Sequence, residues 1–142
     1  MAMTNETMYQ ELDTFGVKYE FPAYCMISNR SGFLSSGKFN EWGYIAADLS
    51  GESIVFTEHS LMGAIIGDSC GVRNSIYQIS VEKIKIKKTP LLPNYMVDIT
   101  YRSEGKKKNY RFSINTKVKG FPEQEQNVNS LIIMLIKWQA SI

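Results

Sequence analysis

The chain is poor in the residues that most enzymes rely on. It contains one histidine, His59, and two cysteines, Cys25 and Cys70. A Ser-His-Asp or Cys-His nucleophile would therefore have to be built on His59. Glu58-His59-Ser60 lies just past an apolar strand pattern, where functional residues can sit. A lone His at a strand end is more often a satisfied structural residue, so catalysis is not expected. Cys25, His59 and Cys70 lack the paired spacing of a zinc site, so no metal is expected either. Neither a P-loop nor a GxGxxG pattern occurs, which leaves nucleotide phosphates without a cradle and implies no cofactor. Carboxylate pairs such as Glu52 with Glu58, or Asp98 with Glu104, read as ordinary surface charges.

Long apolar runs are missing too. The longest, Leu131-Ile132-Ile133-Met134-Leu135-Ile136, falls far short of the ~20 residues that cross a bilayer. Gly63-Ala64-Ile65-Ile66-Gly67 has the spacing of a membrane pairing motif but no apolar span around it. Residues 1–7 carry neither a basic nor an apolar stretch, so no signal peptide is read and a cytoplasmic location is expected. Both thiols would then stay reduced. Charge of one sign is also scarce: 16 basic against 14 acidic residues leave a net +2. Bulk charge therefore gives no reason to expect nucleic acid, and any anion site must come from local clustering.

Aromatics are abundant, with eight Tyr and seven Phe, and they favour sheet. Met8, Leu12 and Phe15 predict a short helix over 4–15, capped by Thr4 or Asn5 and ended at Gly16. Tyr24-Cys25-Met26-Ile27 predicts a strand that begins at Pro22, and residues 33–39 a second, short one. Residues 44–49 and 53–57 form a hairpin around Ser50-Gly51, and residues 59–74 a long loop. Residues 75–80 predict a further strand. In Val81-Glu82-Lys83-Ile84-Lys85-Ile86-Lys87-Lys88 the Ile and Lys side chains alternate between faces, and Pro90 and Pro93 stop the pattern. Val97, Ile99 and Tyr101 alternate on one arm of a last hairpin, and Tyr110, Phe112 and Ile114 on the other. Setting Tyr101 opposite Tyr110 puts all six on one face and centres the turn on Gly105-Lys106. From Pro122 to about Ala140 the period becomes helical, with Val128, Leu131, Leu135 and Trp138 in a stripe.

The expected fold is mainly β (α+β). It is a strongly bent antiparallel sheet or partly open barrel of about seven strands, capped by a C-terminal helix over 122–140. Residues 1–142 form one domain, with 1–18 as a short helical extension. This order resembles the pleckstrin-homology superfold, and especially its bacterial PH-like and GRAM-like branches. Trp138 is similar to the helix Trp of PH domains. Gly43-Tyr44-Ile45-Ala46-Ala47 followed by Ile54-Val55-Phe56-Thr57 is similar to the opening strands of GRAM-like sequences, and Val81-Glu82-Lys83-Ile84-Lys85-Ile86 to their amphipathic middle strand. The resemblance spans residues 43–138 and implies a domain that binds rather than transforms its ligand. Gly37-Lys38-Phe39-Asn40-Glu41-Trp42-Gly43 departs from the basic first loop of phosphoinositide-binding PH domains: it has one Lys, one acid and no Arg.

Two surfaces are candidates for that binding. Lys83, Lys85 and Lys87 project from one face of one strand, Lys106, Lys107 and Lys108 crowd the last turn, and Arg111 follows. Thr100, Arg102, Asn109 and Arg111 are expected to share the face of the first stripe. Such a face attracts an anionic membrane. The plainer reading is a solvated face that resists edge pairing, since Glu82, Asp98 and Glu104 are interspersed. The aromatics alternate to the opposite face, which argues against stacked nucleic-acid bases. Leu61, Met62, Ile65 and Ile66 either fill the core or form a patch for a protein partner. The function expected is a binding module for an unidentified protein partner, with an anionic membrane surface as the alternative. An open sheet edge leaves room for a homodimer.

Overall fold

The computed structural model describes residues 3–29, 41–60 and 71–142. Among them the elements run α1 (Asn5–Asp13), β1 (Tyr19–Asn29), β2 (Glu41–Asp48), β3 (Ser53–Ser60), β4 (Val72–Tyr77), a 3-10 turn (Gln78–Ser80), β5 (Val81–Lys88), β6 (Asn94–Ser103), β7 (Lys106–Asn115) and α2 (Gln124–Ala140). The strands form one antiparallel sheet in the order β4-β3-β2-β1-β7-β6-β5. It is not closed, because β4 and β5 are its two edges although they follow one another in the chain. The short N-terminal and long C-terminal helices complete the mainly β architecture.

Local chemistry sets the elements. Thr4 caps α1: its Oγ1 accepts the Thr7 N–H at 3.1 Å, and the Thr7 Oγ1 accepts the Thr4 N–H at 3.1 Å. The β6–β7 turn is the two-residue Glu104-Gly105, both with positive φ (54° and 75°), as a tight hairpin demands. Gly43 lies where β2 and β3 come together, and a Cβ there would sit 1.6 Å from the Thr57 carbonyl oxygen.

Two cores flank the sheet. Its concave face packs on α2 through Ile27, Phe56, Ile99, Phe112, Leu131, Leu135 and Trp138. Cys25 lies fully buried in this layer, and burial pushes its thiol well above the ordinary range. On the opposite face, α1 and Phe121 cover β1–β3 through Met8, Leu12, Trp42, Tyr44 and Val55. β2 and β3 are therefore buried on both faces, whereas β6 and β7 alternate between buried and partly exposed positions.

Four expectations need correction. Pro22 does not start a strand; it sits inside β1 at a bulge between Glu20 and Ala23, where Phe21 has φ 59°. α2 supplies the partners that make the bulge tenable. The Gln124 Oε1 accepts the Tyr24 N–H at 3.0 Å, and its Nε2 donates to the carbonyls of Tyr24 and Asn115, both at 2.9 Å. The Asn127 Nδ2 donates to the Pro22 carbonyl at 2.8 Å. Second, residues 78–80 turn as a 3-10 helix rather than continuing a strand, which carries the chain from one sheet edge to the other. Third, the last hairpin pairs Ile99 with Tyr110 and Val97 with Phe112, two residues from the expected register. A slip of two preserves the faces, so all six apolar side chains are buried. The two-residue turn set the register, not the match of tyrosines. Fourth, the 59–74 loop is too long, because His59 and Ser60 end β3 and residues 72–74 begin β4. The short strand expected over 33–39 lies outside the described residues.

Replacing the buried Gln124 by Ala removes three hydrogen bonds to part-buried backbone and is expected to cost about 2 kcal/mol. Replacing the adjacent, exposed Glu125 by Ala should cost less than about 0.5 kcal/mol. Denaturant midpoints of the two variants check this.

Candidate functional site

The registers of β5, β6 and β7 place the charged side chains in rows across one outer face. Lys83 pairs with Thr100, which pairs with Asn109. Lys85 pairs with Asp98, which pairs with Arg111. Lys87 pairs with Met96, which pairs with Ser113. Lys83, Lys85 and Lys87 are exposed, while the alternate Ile84 and Ile86 turn inward. Arg111 is fixed by a bidentate pair with Asp98, Nε to Oδ1 at 2.7 Å and Nη2 to Oδ2 at 3.0 Å. That pair holds the guanidinium pKa above its ordinary value. The Asn109 Nδ2 donates to the Thr100 Oγ1 at 2.9 Å. A shallow trough of about 450 Å³ runs beside them, with Lys85, Lys87, Met96, Asp98 and Arg111 in its walls. Arg102 and Glu82 form an exposed ion pair at 2.7 Å. The arrangement offers three exposed ammonium groups and a guanidinium braced by one carboxylate.

The structure separates residues that the sequence grouped. Lys107 shares the face of the Lys83 stripe, but it pairs with Arg102, six residues along β6 from the Met96 opposite Lys87. At ~3.3 Å per residue Lys107 lies about 20 Å along the strands from Lys87 but only about 7 Å from Lys83. Lys106 and Lys108 pair with Ser103 and Tyr101, on the parity of the opposite face. Leu61, Met62, Ile65 and Ile66, and also Cys70, lie outside the described residues.

His59 is a buried structural residue, 3% exposed. Its Nε2 meets the Glu11 Oε1 at 2.5 Å, and its ring stacks on Trp42 at 4.2 Å. The contact ties α1 to the sheet. Among the described residues no group of His, Cys, Asp and Glu could hold a metal ion. No helix there is long and apolar enough to cross a membrane.

Sequence reasoning missed an acid pair. Glu58 pairs not with Glu52 but with Glu41, the first residue of β2. Glu58 is buried and faces the concave interior, where its Oε1 accepts the Tyr110 hydroxyl at 2.6 Å and the Asn74 amide at 2.6 Å. The Asn29 Nδ2 donates to the Tyr110 hydroxyl at 3.1 Å. Burial, then the hydrogen bond and charge of Glu58, raise the Glu41 pKa to about 8. Tyr101 is pushed up to about 12 by burial and by Glu58. Glu41 and Glu58 are 17 residues apart in sequence, and only the β2–β3 register brings them together.

No protein-family model matches the chain, and no curated protein is similar to it. Among solved structures, the chain is similar to the hSac2 domain from human phosphoinositide phosphatase Sac2, with a TM-score of 0.51 and 9% identity. The match covers 99% of this chain and 86% of that one. Identity this low speaks for shared architecture alone.

The acid pair sets a pH dependence. The folded chain holds the Glu41 proton to about pH 8, whereas the ordinary carboxyl value is 4.5. Between those values the native state binds more protons than the unfolded chain, so stability falls as pH rises. The contribution is complete below about pH 4.5 and lost by about pH 8. Denaturant midpoints across pH 5 to 8 should decline, and Glu41→Gln should flatten that decline.

Proposed function

We propose that this chain is a non-catalytic, PH-like binding domain that docks on anionic lipid through the β5–β7 face. The observation that carries the reading is the contrast between the two outer faces. The β1–β3 face is roofed by α1, whereas no described element covers the β5–β7 face, which presents the exposed Lys83, Lys85 and Lys87 beside the braced Arg111. The bent sheet open between β4 and β5, the C-terminal helix against its concave face and the buried Trp138 support the PH-like assignment. His59, the chain's single histidine, is buried under α1, which fits binding rather than catalysis. The structural neighbour is named for a phosphoinositide phosphatase, which recommends phosphoinositides for the lipid series.

A second reading, a protein-interaction module, has its own observation. β4 is an open edge, and Val72, Tyr77 and the adjoining Ile79 are exposed along it, Ile79 at 96%. The same edge suits a second copy of the chain.

Each basic residue near an anionic surface contributes about 1 kcal/mol. Changing Lys83, Lys85 and Lys87 together to Glu should therefore weaken binding to phosphatidylserine vesicles by about 100-fold or more. Co-sedimentation across a salt series measures it. Wild-type binding that resists salt, or a triple variant that binds as well as wild type, refutes the lipid reading and leaves the β4 edge as the leading surface.

A further inference from the structure

The turn between β5 and β6 carries the most exposed leucines of the described residues. Leu91 is 94% exposed and Leu92 62%. The exposure is held in place rather than left to a loose loop. The Thr89 N–H donates to the Asn94 carbonyl at 2.9 Å, and the Asn94 N–H to the Leu92 carbonyl at 2.7 Å. The Pro93 carbonyl accepts both the Thr116 N–H at 2.7 Å and the Thr116 hydroxyl at 3.1 Å. Pro90 and Pro93 stiffen the backbone between these anchors. A rigid turn that holds two leucines in water forgoes burial that a neighbouring apolar phase would supply.

The surroundings of the turn identify that phase. On one side lies the trough that holds Lys85, Lys87 and the Arg111–Asp98 pair. On the other lies a depression of about 360 Å³ bordered by Lys88, Lys117 and one acid, Glu125. The leucines thus stand between basic flanks on both sides. An apolar tip with a basic collar matches an anionic bilayer, whose headgroups attract the lysines while the acyl region takes the leucines. A protein groove would have to combine a pocket for the tip with acids on both sides.

We infer that Leu91 and Leu92 insert into an anionic membrane while Lys85, Lys87, Lys88 and Lys117 contact its headgroups. The inference rests on the lipid reading above and adds an orientation: the β5–β6 turn points into the bilayer, and the Lys106-Lys107-Lys108 turn points away from it.

The test uses the full chain with vesicles of phosphatidylcholine, with and without phosphatidylserine. Changing Leu91 and Leu92 together to Ser should weaken binding to the phosphatidylserine vesicles by about 100-fold while leaving its salt dependence intact. Both sites are exposed, so the thermal midpoint should not move. Trp42 and Trp138 are buried, so Leu91→Trp adds an exposed indole whose emission should shift to the blue and be quenched by brominated lipid. If the Ser variant binds like wild type and the added indole stays water-like, the tip does not insert, although the lysine face still binds. If the Ser variant loses binding but the Lys83/Lys85/Lys87→Glu variant does not, the tip inserts, but the headgroup contacts of Lys85 and Lys87 are overturned together with the lipid reading of the β5–β7 face. If wild type binds neither vesicle, both readings fall, and the turn becomes a candidate protein contact.

Discussion

The side-chain amides of Gln124 and Asn127 reach from the first turns of α2 into the bulge of β1, and the arrangement of both halves of the sheet depends on them. β1 is the strand the halves share: it pairs with β2 over much of its length and with β7 only over its last four residues, Met26–Asn29. Between its two ends it must turn, and it does so at Phe21 and Pro22, in backbone that costs roughly 1–3 kcal/mol when a non-glycine residue adopts it. The bulge leaves peptide groups without ladder partners, and buried peptide groups without partners are expensive. The helix supplies those partners, so its docking and the bend of the sheet come as one unit.

That unit explains why one outer face is available and the other is not. α1 and Phe121 cover β1–β3, where Trp42, Tyr44 and Val55 need a second apolar layer. β5–β7 largely alternate, so their outward residues, Met96 apart, are polar and need no cover. Exposed lysines along β5 also keep the sheet edge from pairing with another strand, so the same residues serve solubility and attraction to anions. The Asp98–Arg111 pair lowers the net charge of the face but fixes a guanidinium where a flexible ammonium would move.

The sheet, the terminal helix and the lysine stripe were legible because each rests on a period: two along β5, β6 and β7, and three to four along α2. The burial of Val128, Leu131, Leu135 and Trp138 follows from that spacing alone. Pairing across distance was not legible. A carboxylate reads as surface charge until the β2–β3 register sets Glu41 near Glu58, and the His59–Glu11 contact joins residues 48 apart. The leucine turn went unread for another reason. Pro90 and Pro93 mark the end of a strand, but only solvent exposure shows that the leucines between them are not folded back onto the sheet.

Cys25 offers a separate consequence. Its sulfur is sealed between the sheet and α2, and burial keeps it in the unreactive thiol form. Oxidants and alkylating reagents can reach it only in conformations where the helix has lifted and water has entered. The chain therefore carries an internal timer: the rate at which that one sulfur is consumed counts how often the interior opens.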